Sequence, residues 1–523
     1  MLKRYTASAD NTIVNAYQLD MKTRGTGANA GRADILETFS IYGRISTSSQ
    51  ELSRVLVNFP VTSISADRSA GTIPASGKVS FYLKMFNAPH SKTTPRDYKI
   101  VVQPISQSWQ EGDGLDLEGY KDITFGGLGS NWISASNTAT WTSVGGDYLE
   151  DRVYTQNFPD GTENLEINIT DMVEDWILGY AGGKYNNYGV SVRLSASYEG
   201  SSSAAYVAED SNVVLNPNGA VKSYYTKRFF GRKTQYFFYK PAIEARWDSV
   251  TRDERSDFYF SSSRAPANDN MNTIFLYNRI RGRLVNIPEI GTGEICVSLF
   301  SGSANNTMPS ASAQKVINSA NNAVQVLTGG WVETGIYSCS VCLTASSTGS
   351  LIKTYYDVWF SGSDTVADAT TAKYQFFTGT ITPRMQDSGI STNRPRYYLS
   401  ITNLYSKYFK DDIARMNLFV REKNWKPNIY TVANQSVPTK TIVSGAYRVY
   451  RILDGLEAVP YGTGSDYHTG LSYDVSGNYF DLDMTLLEPG YAYGIKFAFY
   501  DDRNLSWREQ EQVFKFRVED YEY

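Results

Sequence analysis

The stretch KVSFYLKMFN, Lys78–Asn87, decides the fold class. Val79, Phe81, Leu83 and Met85 fall on one side of an extended chain, with Ser80, Tyr82 and Lys84 on the other. Such a period of two belongs to a β-strand with one apolar and one wet face. The alternation recurs outward along the chain. Val55, Val57 and Phe59 share a face of Ser53–Phe59, and Leu165, Ile167 and Ile169 alternate with Glu166 and Asn168. Val190, Val192, Leu194 and Ala196 alternate with Ser191, Arg193 and Ser195. Several such strands parted by turn-rich loops imply a sandwich or barrel.

One helix is expected to interrupt the strands. Thr170 and Asp171 are N-cap types, and Met172, Val173, Trp176 and Ile177 follow at helical spacing before Gly179. Three polar tracts, Gly126–Gly146, Glu199–Gly219 and Arg264–Asn272, read as exposed loops. The run Ser256–Asn272 loses its apolar pattern and marks a unit boundary. Alternation restarts over Ile274–Ile287, Glu294–Phe300, Val332–Thr344 and Tyr355–Phe360, enough for a smaller sandwich of immunoglobulin-like size. After the turn-rich Gln386–Arg394 comes a third set of strands. Its clearest members carry Tyr491, Tyr493, Ile495, Phe497 and Phe499, then Phe514, Phe516 and Val518. The expected organisation is all-β, with units at 1–262, 263–388 and 389–523.

Composition agrees. Of 523 residues, 39 are Tyr, 24 Phe and 9 Trp, types suited to a pleated, half-buried surface. A net charge of −4 supplies no global cationic field for nucleic acid or anionic lipid. Three cysteines, Cys296, Cys339 and Cys342, are too few for a disulfide framework and fit folding in a reducing cytoplasm. With no apolar run of about 18 residues and no signal-like start, a soluble chain without signal peptide or membrane anchor is expected.

Little chemistry is on offer. The two histidines, His90 and His468, fall in different expected units, and no nucleophile-elbow, P-loop or dinucleotide fingerprint occurs. Cys339 and Cys342 sit three apart on an expected strand, hence on opposite faces, with no second ligand pair. The acids Glu111, Asp113, Asp116, Glu118 and Asp122 lack the spacing of a calcium loop and read as solvated. No catalytic residue, cofactor or metal is expected. Lys222, Lys227, Arg228, Arg232, Lys233, Lys240 and Arg246 interleave with aromatic residues and read as one cationic face of a final strand pair. Arg279, Arg281 and Arg283 alternate as an outward basic stripe, fit to guard a sheet edge or dock on an acidic neighbour. Trp109, Trp132 and Trp141, with Tyr185 and Tyr188, are the candidate glycan or partner contacts. Exposed, the tryptophans would form a stacking platform; the preferred reading has them buried, plugging the sandwich.

Two resemblances extend this reading. The segments SRVLVNFPV (Ser53–Val61), KVSFYLKMFN, YKIVVQPISQSWQEGDGLD (Tyr98–Asp116), LEINITDMVEDWILG (Leu165–Gly179), NNYGVSVRLS (Asn186–Ser195) and SYYTKRFFGRKTQYFFYKPAIEARW (Ser223–Trp247) come in order over about 200 residues. Together they resemble the DNRLRE-type jelly-roll domain of surface proteins and related carbohydrate-binding modules. That implies an N-terminal jelly-roll β-sandwich, followed by two smaller immunoglobulin-like β-sandwich units. The last 110 or so residues carry LFVREKNWKPNIYT (Leu418–Thr431), VPYGTG (Val459–Gly464), LSYDVSGNYFDLDMTLLEPGYAYGIKF (Leu471–Phe497) and EQVFKFRVE (Glu511–Glu519). These are similar to structural proteins of tailed bacteriophages, particularly marine ones.

The resemblance implies a non-enzymatic virion component of the neck, tail or fibre, assembled in the host cytoplasm. Its partners would be copies of itself in a symmetric oligomer and other virion proteins, with nucleic acid and membrane not expected. The alternative is an adhesin that recognises host surface polysaccharide. A polysaccharide-degrading enzyme would need two facing carboxylates in a groove.

Overall fold

The computed structural model describes residues 1–16, 25–42, 50–90, 94–115, 128–179, 186–199, 224–301, 313–345, 352–362, 365–385, 395–429 and 439–521. The fold is all-β, in antiparallel sheets with one parallel pair. Its first eleven strands are β1 Leu2–Thr6, β2 Ala9–Val14, β3 Ile35–Tyr42, β4 Gln50–Asn58, β5 Ser80–Met85 and β6 Tyr98–Pro104. They continue with β7 Tyr154–Phe158, β8 Leu165–Asn168, β9 Val190–Leu194, β10 Tyr224–Phe230 and β11 Ala242–Arg246.

Two sheets face one another here. One has the order β1-β11-β5-β8; the other runs β10-β3-β4-β9-β6-β7, with β2 also paired to β4. Without β2, β3 and β10, the other eight strands visit the two sheets in the sequence of a double Greek key. That is the topology of a jelly roll. Phe81, Leu83 and Met85 meet Val55, Val57, Ile100, Val102, Val190 and Val192 in the core between the sheets, all fully buried. At about 25 cal/mol per Å² of apolar surface, such packing is the main stabilising term.

Helix α1 (Val61–Ser69) has no counterpart in the sequence reading; α2 (Thr170–Ile177) is the expected one. The N-cap of α2 is Ile169 and not Thr170 or Asp171, because Thr170 Oγ1 is engaged by the Phe81 amide and by Asn168. Arg68 of α1 donates from Nη1 and Nη2 to the two carboxylate oxygens of Glu174 of α2, joining the two helices. The expected strand through Ala196 stops at Leu194, and a turn of helix, α3 (Ala196–Glu199), begins.

The second unit holds β12 Asn272–Tyr277, β13 Arg279–Ile280, β14 Arg283–Leu284, β15 Glu294–Ser301 and β16 Val316–Ile317. It continues with β17 Ala323–Val324, β18 Leu327–Glu333, β19 Ile336–Val341, β20 Tyr355–Phe360 and β21 Gln375–Ile381. Its six-stranded sheet has the order β12-β19-β18-β15-β20-β21, and β13–β14 and β16–β17 are separate ribbons. Tyr259 bridges to Arg384 beyond β21 and Ser261 to Thr344 beyond β19, so the segment 258–261 closes the open side of this sheet. Phe258 and Phe260, on the first-unit side of the expected boundary at 262, pack into this second core.

The third unit is a two-sheet sandwich. Its strands are β22 Tyr397–Ile401, β23 Lys407–Phe409, β24 Ile413–Glu422, β25 Gly445–Arg451 and β26 Glu457–Val459, then β27 Ser472–Asp474, β28 Gly477–Asp483, β29 Ala492–Asp501, β30 Ser506–Glu509 and β31 Phe514–Glu519. One sheet runs β22-β24-β28-β27; the other runs β23-β31-β29-β25-β26, with β30 on β29. Tyr493, Ile495, Phe497, Phe516 and Val518 fill the space between. That core also takes in Leu2 and Phe238 from the first unit.

Candidate functional site: the junctions between units

The outward face of the β1-β11-β5-β8 sheet should be wet by its alternation. It is covered. Glu244, at the middle of β11, is fully buried and is the centre of a charge cluster. Arg4 Nε donates to it at 2.7 Å and Arg246 Nε at 3.1 Å, with Lys84 Nζ at 3.7 Å. Arg246 also pairs with Glu166 and lies over the Tyr82 ring at 4.3 Å. Burial by itself raises the Glu244 pKa, but Arg4, Lys84 and Arg246 outweigh it and hold the carboxyl well below the usual range. In the opposite sense, burial lowers the Lys84 pKa more than Glu244 restores it.

Three contacts tie this face to the third unit. Arg4 Nη2 donates to the Ala458 carbonyl at 2.7 Å, Ser80 Oγ to Asp466 at 2.8 Å, and the Tyr82 hydroxyl is hydrogen-bonded to Asp466. His468 is buried beside them. Burial first, then Arg246 and the N-terminal ammonium, push it down to about 4, so it is neutral at pH 7.

The chain leaving the first unit runs straight onto the third. Tyr473 of β27 donates its amide to the Thr251 carbonyl at 2.9 Å and accepts from the Asp253 amide at 3.0 Å, in parallel register. Two residues on, Arg255 enters the second unit and pairs with the fully buried Asp357 at 2.5 and 2.7 Å. Trp359 Nε1 donates to the same carboxylate at 2.6 Å. The connection between units is therefore itself hydrogen-bonded into a sheet, unlike a free linker.

Of the residues singled out in the sequence, Trp109, Trp132, Trp141 and Tyr188 are brought together, on the outer side of β2 and β4. Trp132 and Trp141 are buried with Ile13, Leu52, Leu56 and Ile105, and half-buried Trp109 donates to the Tyr188 carbonyl at 2.7 Å. The tract 128–146 is therefore not an exposed loop, since its indoles fold back and form a satellite core. Arg54 clamps it, lying 5.1 Å from the Trp132 ring, donating to the Gly145 carbonyl and pairing with buried Glu199 at 2.7 and 3.0 Å. Tyr185 lies outside the described residues, as does 200–219 of the second expected loop.

Arg279, Arg281 and Arg283 are exposed, but they do not share a strand. The chain reverses at Arg281 and Gly282, whose φ values of 50° and 82° make a tight hairpin between β13 and β14. The basic run near 222–246 is not one cationic face either. Lys227 is fully buried and donates to Asn87 Oδ1 at 2.6 Å and to the Gly161 and Glu163 carbonyls at 2.9 and 2.7 Å. Arg232 pairs with Glu111 at 2.6 Å, and Asp116, Glu118 and Asp122 lie outside the described residues.

All three cysteines are buried, and none of them forms a disulfide. Among the described residues, no group of three or more His, Cys, Asp or Glu is placed to hold a metal, and no helix is long and apolar enough to cross a membrane.

A feature that sequence reading missed lies at the same junction. Beside the charge cluster, the aromatic run Tyr236–Tyr239 faces Arg451 and Tyr491 of the third unit across a cavity. The adjacent aromatic residues were the available signal, but their partners are more than 200 positions away.

No family model and no curated protein matches the chain. Among solved structures, it is similar to the fibronectin(III)-like modules of Clostridium thermocellum CbhA, at 9% identity over 52% of this chain and 93% of that one, TM-score 0.14. It is also similar to the titin domains Z1Z2 in complex with telethonin, at 11% identity over 48% and 89%, TM-score 0.13. A third match is native E. coli alpha-2-macroglobulin, at 6% identity over 89% of this chain and 21% of that one, TM-score 0.14. At these scores the likeness says nothing of function.

Proposed function

We propose that the protein is a non-enzymatic structural part of a tailed-bacteriophage particle, built into the neck, tail or fibre region as a symmetric oligomer. The observation that carries this reading is the way the units are joined. The third core takes in Leu2 and Phe238 of the first unit, the connection 251–253 pairs with β27, and Arg255 just beyond it pairs with Asp357 of the second unit, so the three β units are held to one another and not strung on tethers. A part that passes load between neighbours in a particle needs that stiffness, whereas a chain of independently moving modules would bend at its linkers. The Leu471–Phe497 resemblance supplies the phage setting.

Mass spectrometry and immunogold labelling of gradient-purified particles test the proposal. The chain is expected in multiple copies per particle, at a fixed place. Finding it in the lysate but absent from particles would overturn the assignment.

A further inference from the structure

The cavity at the junction of the first and third units has a volume of about 340 Å³, at the low end of the range for small-molecule sites. Its first wall is the rim of the jelly roll. Phe238 turns into the third core, while Tyr236 packs edge-on against Phe230 at 5.6 Å and stays 49% exposed, with Phe237 37% exposed beside it. The opposite wall carries Arg451, Asp454, Glu488 and Tyr491. Arg451 is fixed in place. Its Nε and Nη2 donate to the two oxygens of Asp454 at 3.0 and 2.6 Å, and Nη1 donates to Glu488 Oε2 at 2.7 Å. Its guanidinium lies over Tyr491 at 4.7 Å and Phe238 at 5.3 Å. A guanidinium held from both sides and on both carboxylates meets a ligand without reorganising.

The lining selects a chemistry. Two carboxylates against one guanidinium leave the wall negative, which disfavours phosphate, sulfate and acidic sugars. A wholly apolar ligand would strip water from three charges and return no hydrogen bond. A metal ion would have to displace Arg451 from both acids. A neutral sugar ring meets every demand: its C–H face stacks on an aromatic ring, and its hydroxyls both donate to carboxylate oxygens and accept from N–H.

We propose that this cleft binds a neutral saccharide unit, with Tyr236, Phe237 and Tyr491 as its aromatic contacts and Arg451, Asp454 and Glu488 as its polar ones. The site goes beyond the assembly role and does not depend on it.

The intact chain would be titrated, by saturation-transfer NMR and calorimetry, with neutral oligosaccharides of hexose, deoxyhexose and N-acetylhexosamine units and with their uronate and sulfated counterparts. At least one neutral member is expected to bind with a Kd between about 10 μM and 1 mM. Tyr236→Ala is expected to weaken it by about tenfold or more with an unchanged melting temperature. Should that variant melt early, Phe237→Ala, also at an exposed position, decides in its place. The proposal is overturned if no neutral member binds, if acidic members bind better, or if binding survives both substitutions. It is equally overturned if the chain self-associates and Tyr236→Ala abolishes that, which would put a second copy in the cleft.

Discussion

Glu244→Gln keeps the shape of the side chain and removes the one charge that Arg4, Lys84 and Arg246 share. In the native protein two guanidinium N–H groups reach it at 2.7 and 3.1 Å, a third at 2.5 Å, and each such charge-assisted bond contributes about 1.5–3 kcal/mol. Gln offers a single acceptor oxygen and turns an NH₂ towards a cation. One bond is lost if the oxygen stays on Arg246 and two if it turns to Arg4, and the half-exposed Glu166 is left as the carboxylate facing Lys84 and Arg246. Breaking a buried pair from one side in this way costs about 3–5 kcal/mol. Urea unfolding at pH 7 measures the loss, and limited proteolysis reports opening of 248–253, since Arg4 also holds the Ala458 carbonyl. Glu166→Gln is the control. With its side chain 41% exposed, Glu166 should cost under about 1 kcal/mol. The sign with pH follows from the depressed carboxyl: its contribution is present above the unfolded value of 4.5 and is lost as pH falls towards the folded value. The gap between wild type and variant should therefore begin to shrink below about pH 4.5. If Glu244→Gln costs no more than Glu166→Gln, the cluster does not hold the junction together.

Trp132→Ala should lower stability by about 3–5 kcal/mol in chemical denaturation, because its ring is buried; a loss under about 1 kcal/mol would return it to the surface. His468, pushed down to about 4, contributes stability that is present above the unfolded value of 6.5 and lost as pH falls through 4, about 3 kcal/mol in all. An NMR titration of its ring should have its midpoint near 4, and a midpoint near 6.5 would contradict the buried placement. Arg281→Asn, at φ 50° before Gly282, should tighten the hairpin by about 1 kcal/mol in thermal melts; an unchanged or lower melting temperature would refute the turn assignment.

Single-sided burial leaves a period of two in the sequence, which is why Val79–Met85 and Tyr491–Phe499 were legible as strands. Which polar faces are covered was not. Ser80, Tyr82 and Lys84 read as a wet face, because the groups that cover or neutralise them, Glu244 and Asp466, come from distant parts of the chain. Helix α1 buries only Val61 and Ile64 of its nine residues, too few to leave an amphipathic stripe. The 128–146 tract is polar by count, yet two indoles decide where it lies. In the run from Arg279 to Arg283 the alternation was real, but Gly282 was the stronger signal, and it spelled a turn. The cleft between Tyr236 and Tyr491 had no local signature for its far wall at all.

Leu2 and Phe238 belong to a core whose other members lie between 399 and 518. During synthesis both residues leave the ribosome long before those partners. At roughly 5–20 residues per second, the residues after 247 take tens of seconds to appear. For that interval the nascent jelly roll carries two uncovered apolar side chains and an uncovered charge cluster on one flank. That flank is a sticky template as well as a folding aid. It would direct the last strands of the same chain onto the correct surface, and it is where a chaperone or a neighbouring nascent chain would compete.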